Sequence, residues 1–145
     1  MSKIIKNFKE IAPNKEITKG TFTSKFFKNE NTQEMTVYTR NKSLMDYAEK
    51  CINHFNSLSD DMIDEICHGL IESCHLSDSD VDFELPELEN VRDILDYCWF
   101  TSLVTIADDG IYYLVEGKGD WGEEVGFVIH NDNVNYVGYD YFNVV

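Results

Sequence analysis

The spacing of apolar residues changes at Cys98, and this change constrains the fold more than any other feature of the chain. Before Cys98, apolar residues recur at steps of three and four over residues 44–95, the spacing of an amphipathic helix. After it, aromatic and β-branched residues form short runs separated by turn residues, which is typical of strands. The two periods occupy separate blocks, so the sequence predicts an α+β fold.

Three helices are predicted in the helical block. Ser43 is a plausible N-cap for the first, which is expected to end near Asn56, and Ser59 is the expected N-cap of the second. Pro86 suits the first turn of a third, shorter helix, because its missing N–H has no intrahelical partner at that position. Residues 4–11 fit either a short helix or a strand.

The strands fall into two groups. A β-hairpin is predicted near the N-terminus, with residues 21–27 paired to residues 34–39 across a polar turn. After Cys98, turn residues at 108–110 and 131–133 and a glycine-rich loop at 117–122 separate the strands of an antiparallel meander, whose last strand continues into VNYVGYDYF. We therefore expect a mainly antiparallel sheet, hairpin plus meander, with about three helices packed on one face.

Length and composition favour one cytoplasmic domain. The 145 residues, 43% of them apolar, match a single core, and no Pro/Gly/Ser-rich linker divides residues 1–145. The N-terminal residues lack the apolar stretch of a signal peptide, and no segment approaches 18 uninterrupted apolar residues. Four cysteines are too few for a disulfide scaffold, so reduced core thiols are predicted.

Charge is distributed unevenly along the chain. Residues 1–50 contain ten Lys/Arg and six Asp/Glu, a net +4, whereas residues 51–145 contain two Lys/Arg and twenty-one Asp/Glu, a net −19. Such a field repels nucleic acid and anionic membranes, and it accelerates encounter with a basic partner. Solubility alone is the competing interpretation.

A glycine motif raises the question of nucleotide binding. Gly117, Gly119 and Gly122 have G-x-G-x-x-G spacing, but a dinucleotide site needs a helix N-terminus directly after the glycines. Here Glu123 and Glu124 follow, and then a strand. The sequence therefore predicts a wide hairpin loop or bulge, and no cofactor.

Two residue patterns resemble metal sites. Cysteine and histidine recur in or between the first two helices, but the cysteines continue the apolar stripes, so buried thiols are predicted and zinc stays an alternative. The residues concerned are Cys51, His54, Cys67, His68, Cys74 and His75. Asp78, Asp80 and Asp82 have EF-hand spacing, but Phe83 occupies the place that requires glycine. We therefore predict no metal, and, without a recognisable nucleophile or acid–base set, no enzymatic activity.

The C-terminal third resembles part of a family of small bacterial proteins of unassigned function. Its pattern is a strand, a Trp-acid-Glu-(often His)-Gly loop, a second strand and a Val-x-x-Val-Gly ending. The sequence departs from it at Gly122 and at Val125, where histidine often stands, so any activity that needs this histidine is not expected. The matching residues are Trp121, Glu123, Glu124, Gly126, Phe127, Val134, Val137, Gly138 and Asp140.

Similar proteins are often encoded beside secreted or contact-dependent bacterial toxins, and this implies an immunity role. We therefore predict a cytoplasmic protein that binds and neutralises a cognate basic toxin, such as a nuclease, through its acidic surface. The alternative is a small-ligand or metal-binding domain with no toxin partner. The predicted contact residues, in order, are Asp78, Asp80, Asp82, Glu84 and Glu87, then Asp120, Glu123 and Glu124, then Asp60, Asp61 and Asp64, with Trp121, Tyr139 and Tyr141 as aromatic anchors.

Overall fold

A computed structural model describes residues 4–11, 17–24, 33–39, 45–77 and 82–145. In these ranges the chain forms one seven-stranded sheet whose strand order follows the chain order. The strands are β1 (Lys6–Ile11), β2 (Ile17–Ser24), β3 (Gln33–Thr39), β4 (Cys98–Thr105), β5 (Tyr112–Gly119), β6 (Glu124–His130) and β7 (Asn133–Gly138).

Every neighbouring pair of strands is antiparallel except β3 and β4. The predicted α+β class with a mainly antiparallel sheet is thus confirmed. The N-terminal hairpin is confirmed as β2 and β3, with Thr21 opposite Thr36, although residues 25–27 lie outside the described part of the chain. Residues 4–11, for which both alternatives were open, provide the edge strand β1.

The helices connect β3 to β4. They are α1 (Met45–Phe55), α2 (Asp60–Leu76) and the 3₁₀ helix η1 (Val91–Tyr97). Parallel neighbours require such a crossover connection, because a tight turn cannot join their ends. None of the helices in the described ranges combines the length and the apolar character needed to span a bilayer.

The helix starts match the sequence prediction at α2 and differ at η1. Ser59 caps α2, and its side chain accepts a hydrogen bond from the Met62 N–H at 3.2 Å; Ser43 lies outside the described residues. The predicted start at Pro86 is wrong, because residues 82–88 have no regular structure and Asn90 caps η1. The Asp93 carboxylate accepts from the Asn90 N–H at 3.1 Å and completes this cap, whereas Pro86 is equally compatible with an extended backbone.

Both faces of the central strands are covered. The three helices share one core with alternate residues of the sheet, including Tyr113 and Phe127. On the opposite face, Leu114 and Val128 pack beneath Tyr141, which belongs to a second 3₁₀ helix, η2 (Tyr141–Val144). The last strand was predicted to continue into VNYVGYDYF, but it ends at Gly138, which adopts a φ of 155°.

Candidate partner-binding groove

The sheet topology separates the charges in space. Since strand order follows chain order, strands β4 to β7, which belong to the acidic part of the sequence, lie on the side of the sheet away from the β1 edge. Lys6 and Lys9 are exposed on β1. Residues 98–145, which form β4 to β7, contain eight Asp/Glu and one Lys, so this side of the molecule is acidic.

A groove of about 500 Å³ lies on the acidic side, between α2 and the edge strand β7. Three segments line it: the second half of α2, the β5–β6 loop with the start of β6, and the end of β7 with the residue that follows. We call it the α2–β7 groove. Its lining residues are Gly69, Glu72, Ser73, Leu76, Trp121, Glu123, Glu124, Tyr136, Val137, Gly138 and Tyr139.

A second stripe of α2 forms one wall of the groove. Gly69, Glu72, Ser73 and Leu76 follow one another at steps of three and one, so they share a face of the helix. Gly69 permits the close approach of helix and strand, because a Cβ there would lie 2.5 Å from the Val137 Cβ. The close packing of α2 against β7 thus requires glycine at position 69, because any side chain there would collide with Val137.

Three carboxylates give the groove its charge. Glu72 belongs to α2, whereas Glu123 and Glu124 belong to the opposite wall, and the lining contains no Lys, Arg or His. Lys118 is the register partner of Glu124, yet in the described ranges no ion pair joins them. The groove therefore offers uncompensated negative charge to a cation.

Two exposed apolar side chains flank these carboxylates. Leu76 is 75% exposed and Tyr139 is 70% exposed, although both are large enough to favour burial. A protein that binds this rim would remove apolar surface from water next to the charged groups. Exposed Tyr139 agrees with its prediction as an anchor, whereas Tyr141 is buried.

The structure corrects the expectation that Trp121 is an exposed anchor. Its side chain is only 3% exposed and belongs to the core beneath the helices. A Cβ on Gly119 would lie 2.5 Å from the indole ring, so the ring packs directly on the glycine backbone. Trp121 therefore supports the groove from below and is not a projecting contact residue.

The other predicted contact residues are dispersed. Asp82, Glu84 and Glu87 are exposed on the irregular segment before η1, and Asp120 is exposed but does not line the groove. Asp78 and Asp80 lie outside the described residues.

The acidic start of α2 is partly neutralised within the molecule. Arg92 of η1 donates to the Asp60 and Asp64 carboxylates, each at 2.9 Å, while Asp61 is exposed. This surface consequently presents less net charge to a partner than its sequence indicates.

The structure brings together Glu123, Glu124 and Trp121, and it adds Glu72, Leu76 and Tyr136, which sequence reasoning missed. A signal for the helical residues was available, because Leu76 is an apolar residue off the core stripe of α2. Which strand this stripe would face depends on tertiary packing.

The predicted hairpin loop at the glycine motif is confirmed. Gly119 donates its N–H to the Glu123 carbonyl at 3.0 Å, Gly122 has a φ of 87°, and the strand β6 follows where a phosphate site would need a helix. The loop is therefore a β-hairpin connection between β5 and β6.

The cysteines and histidines do not converge. Burial raises the pKa of the Cys51 thiol to about 11 and that of Cys67 to about 12. The His54 ring contacts the Tyr113 hydroxyl at 2.9 Å and the Asp132 carboxylate at 3.3 Å. In the part of the chain that the structure describes, no group of three or more His, Cys, Asp or Glu is arranged to hold a metal ion.

The fold and the groove define an α+β protein with an open, mostly antiparallel sheet and an acidic surface groove beside its last strand. The chain belongs to the family described as "Domain of unknown function (DUF6985)", whose model matches residues 7–144. Neither a curated protein nor a solved structure matches it. The family description names no activity and no toxin.

Proposed function

We propose that this protein is an immunity protein that binds a cognate basic toxin, such as a nuclease, and neutralises it through its acidic surface. The observation that carries the proposal is the α2–β7 groove, where three carboxylates without ion-pair partners among the described residues adjoin exposed Leu76 and Tyr139. Charge next to exposed apolar surface is the combination that a protein partner of opposite charge recognises.

Neutralisation of a toxin requires fast association and slow release. The net −19 of residues 51–145 accelerates encounter with a basic surface, and this steering weakens as salt screens the charges. Leu76 and Tyr139 become buried only when the complex forms, so their apolar contacts mainly slow its dissociation. The two features therefore supply the two kinetic requirements.

The toxin setting rests on the resemblance of the β5–β7 region to small bacterial proteins encoded beside toxins. Its matching residues include Glu123 and Glu124, which line the groove, and Gly138, which ends the neighbouring strand. In this proposal the protein acts by binding alone, without catalysis, cofactor or nucleic acid.

Co-expression with the product of the neighbouring reading frame tests the proposal. Host survival is scored with the intact gene and with a control gene that carries an early stop codon, and the two products are co-purified at low and high salt. We expect survival only with the intact gene, together with a complex that weakens as salt rises. Equal killing in both strains and no complex would overturn the proposal and favour a small-ligand-binding role.

A further inference from the structure

We infer that the α2–β7 groove binds an arginine or lysine side chain of the partner that has an apolar residue beside it in the sequence. This inference rests on the proposed function and specifies the partner's chemistry at one surface. It follows from the positions of the carboxylates, from the aromatic lining and from the size of the groove.

The carboxylates face the groove from two different walls. Glu72 comes from α2, and Glu123 and Glu124 come from the beginning of β6 and the loop before it. A cation that enters between the walls approaches negative charge on both sides, so the attractions of the carboxylates add. Glu72 is distant in the sequence from Glu123 and Glu124, so only the fold shows that the three line one groove.

The apolar lining suits the stem of a long basic side chain. Arg and Lys bury their methylene groups against apolar surface while the charged group contacts polar partners. Tyr136 and Tyr139 line the groove, and an aromatic ring also attracts a cation over its face. The Asp140 N–H donates to the Tyr136 hydroxyl at 3.0 Å and so fixes that ring, whereas the Tyr139 ring is 70% exposed and can contact a bound side chain.

Exposed Leu76 is the reason why we infer an apolar residue next to the basic residue of the partner. It lies at the last residue of α2, at the rim of the groove, and a partner residue next to the bound cation contacts it first. The groove volume of about 500 Å³ lies within the range of pockets that hold small molecules, about 300–1,000 Å³. It therefore accommodates one long side chain and part of a neighbour.

A second acidic groove of the described chain, lined by Asp61, Glu65 and Asp132, differs because His54 lies 3.3 Å from the Asp132 carboxylate and no Tyr, Phe or Trp lines it. At the start of α2, Asp60 and Asp64 already form ion pairs with Arg92. Glu84 and Glu87 are exposed on a segment without regular structure and line none of the described grooves. Glu89 and Asp109 are exposed, line none of these grooves and were not predicted as contacts, so they provide a control with the same change of net charge.

The test is an NMR titration of the ¹⁵N-labelled protein with the peptide acetyl-Leu-Arg-Leu-amide, and with its Gln analogue. We expect shifts of the Gly69, Ser73 and Gly138 amides, with no such shifts from the Gln peptide. In the double variant Glu123→Gln/Glu124→Gln the Kd rises about tenfold, the loss expected for about 1.4 kcal/mol of charge interaction. In the control Glu89→Gln/Asp109→Asn it changes less than about twofold, as expected for screened charges outside the groove.

Tyr139→Ala is a second variant that leaves the net charge unchanged, and we expect it to weaken binding of the Arg peptide as well. Equal weakening by the two double variants, shifts away from the groove, or no binding of the Arg peptide would each overturn the inference. Because this titration uses the purified protein alone, its failure is distinguishable from failure of host survival in co-expression.

Discussion

The position of Trp121 shows how far a single residue can be interpreted from its sequence neighbours. Its place in a polar, glycine-rich loop favoured exposure, yet the side chain is 3% exposed. Two features of the loop explain this result: Gly119 leaves room for the indole, and Gly122 reverses the backbone with a φ of 87°. Gly119 and Gly122, which belong to the phosphate-loop-like motif, therefore allow the Trp121 side chain to pack in the core.

We predict that Trp121→Ala lowers the free energy of unfolding by about 3–5 kcal/mol, because it removes a large buried side chain and leaves a cavity. Urea unfolding followed by circular dichroism measures the change. Trp99→Ala is the matched control, since Trp99 is 45% exposed, and there we expect a loss below about 1.5 kcal/mol. Equal losses in the two variants would contradict the core position of Trp121.

Glu116 makes the stability of the fold depend on pH. Burial raises the pKa of its carboxyl above the ordinary value of 4.5, the Tyr141 hydroxyl opposes this rise by donating a hydrogen bond at 3.2 Å, and the Glu124 carboxylate adds to it. Between the unfolded and the folded pKa, the native state binds more protons than the unfolded state. The contribution of Glu116 to the free energy of unfolding therefore falls as pH rises through this window.

We predict that Glu116→Gln raises the melting temperature at neutral pH, because the amide needs no deprotonation and its oxygen still accepts from Tyr141. The gain shrinks as the pH falls toward 4.5, where the native carboxyl is also protonated. Thermal unfolding across this pH range measures it, with exposed Glu89→Gln as the control. A gain that persists unchanged at acid pH would contradict the assignment.

At the scale of elements, the second helix was the most predictable. Its apolar stripe, its Ser59 cap and its acidic first turn all indicate the same helix, and the structure places α2 from Asp60 to Leu76.

We predict that Ser59→Ala costs about 0.5–2 kcal/mol of stability, because the Met62 N–H loses its acceptor. Ser57→Ala, at an exposed position before the cap, is the control in the same urea experiment, and an equal loss there would rule out the capping explanation.

Other elements were beyond local pattern. The parallel pairing of β3 with β4 joins strands separated by the whole helical block, and spacing within a segment carries no information about a distant neighbour. The prediction that η1 starts at Pro86 failed for a related reason, since proline fits a helix start and an extended backbone equally. The cap formed by Asn90 and Asp93 places the start of the helix at Val91 instead. The groove likewise needed Glu72 of α2 to meet Glu123 and Glu124.

At the scale of the whole molecule, the sheet order converts a sequence asymmetry into a spatial one. A net +4 over residues 1–50 and a net −19 over residues 51–145 were evident from composition. The order of strands β1 to β7 shows that the acidic part, which forms β4 to β7, lies away from the β1 edge, where Lys6 and Lys9 are exposed. In the proposed function, this charge distribution would orient a basic partner toward the α2–β7 groove during encounter.

The most direct test of the proposed function is the association rate of the purified protein with the proposed toxin partner as a function of salt, using a catalytically inactivated toxin. We predict that the association rate constant falls at least about tenfold between roughly 50 and 500 mM NaCl, because screening removes long-range steering. The dissociation rate constant is expected to change much less, since apolar contacts at Leu76 and Tyr139 control release. An association rate that does not depend on salt would contradict recognition through the acidic surface.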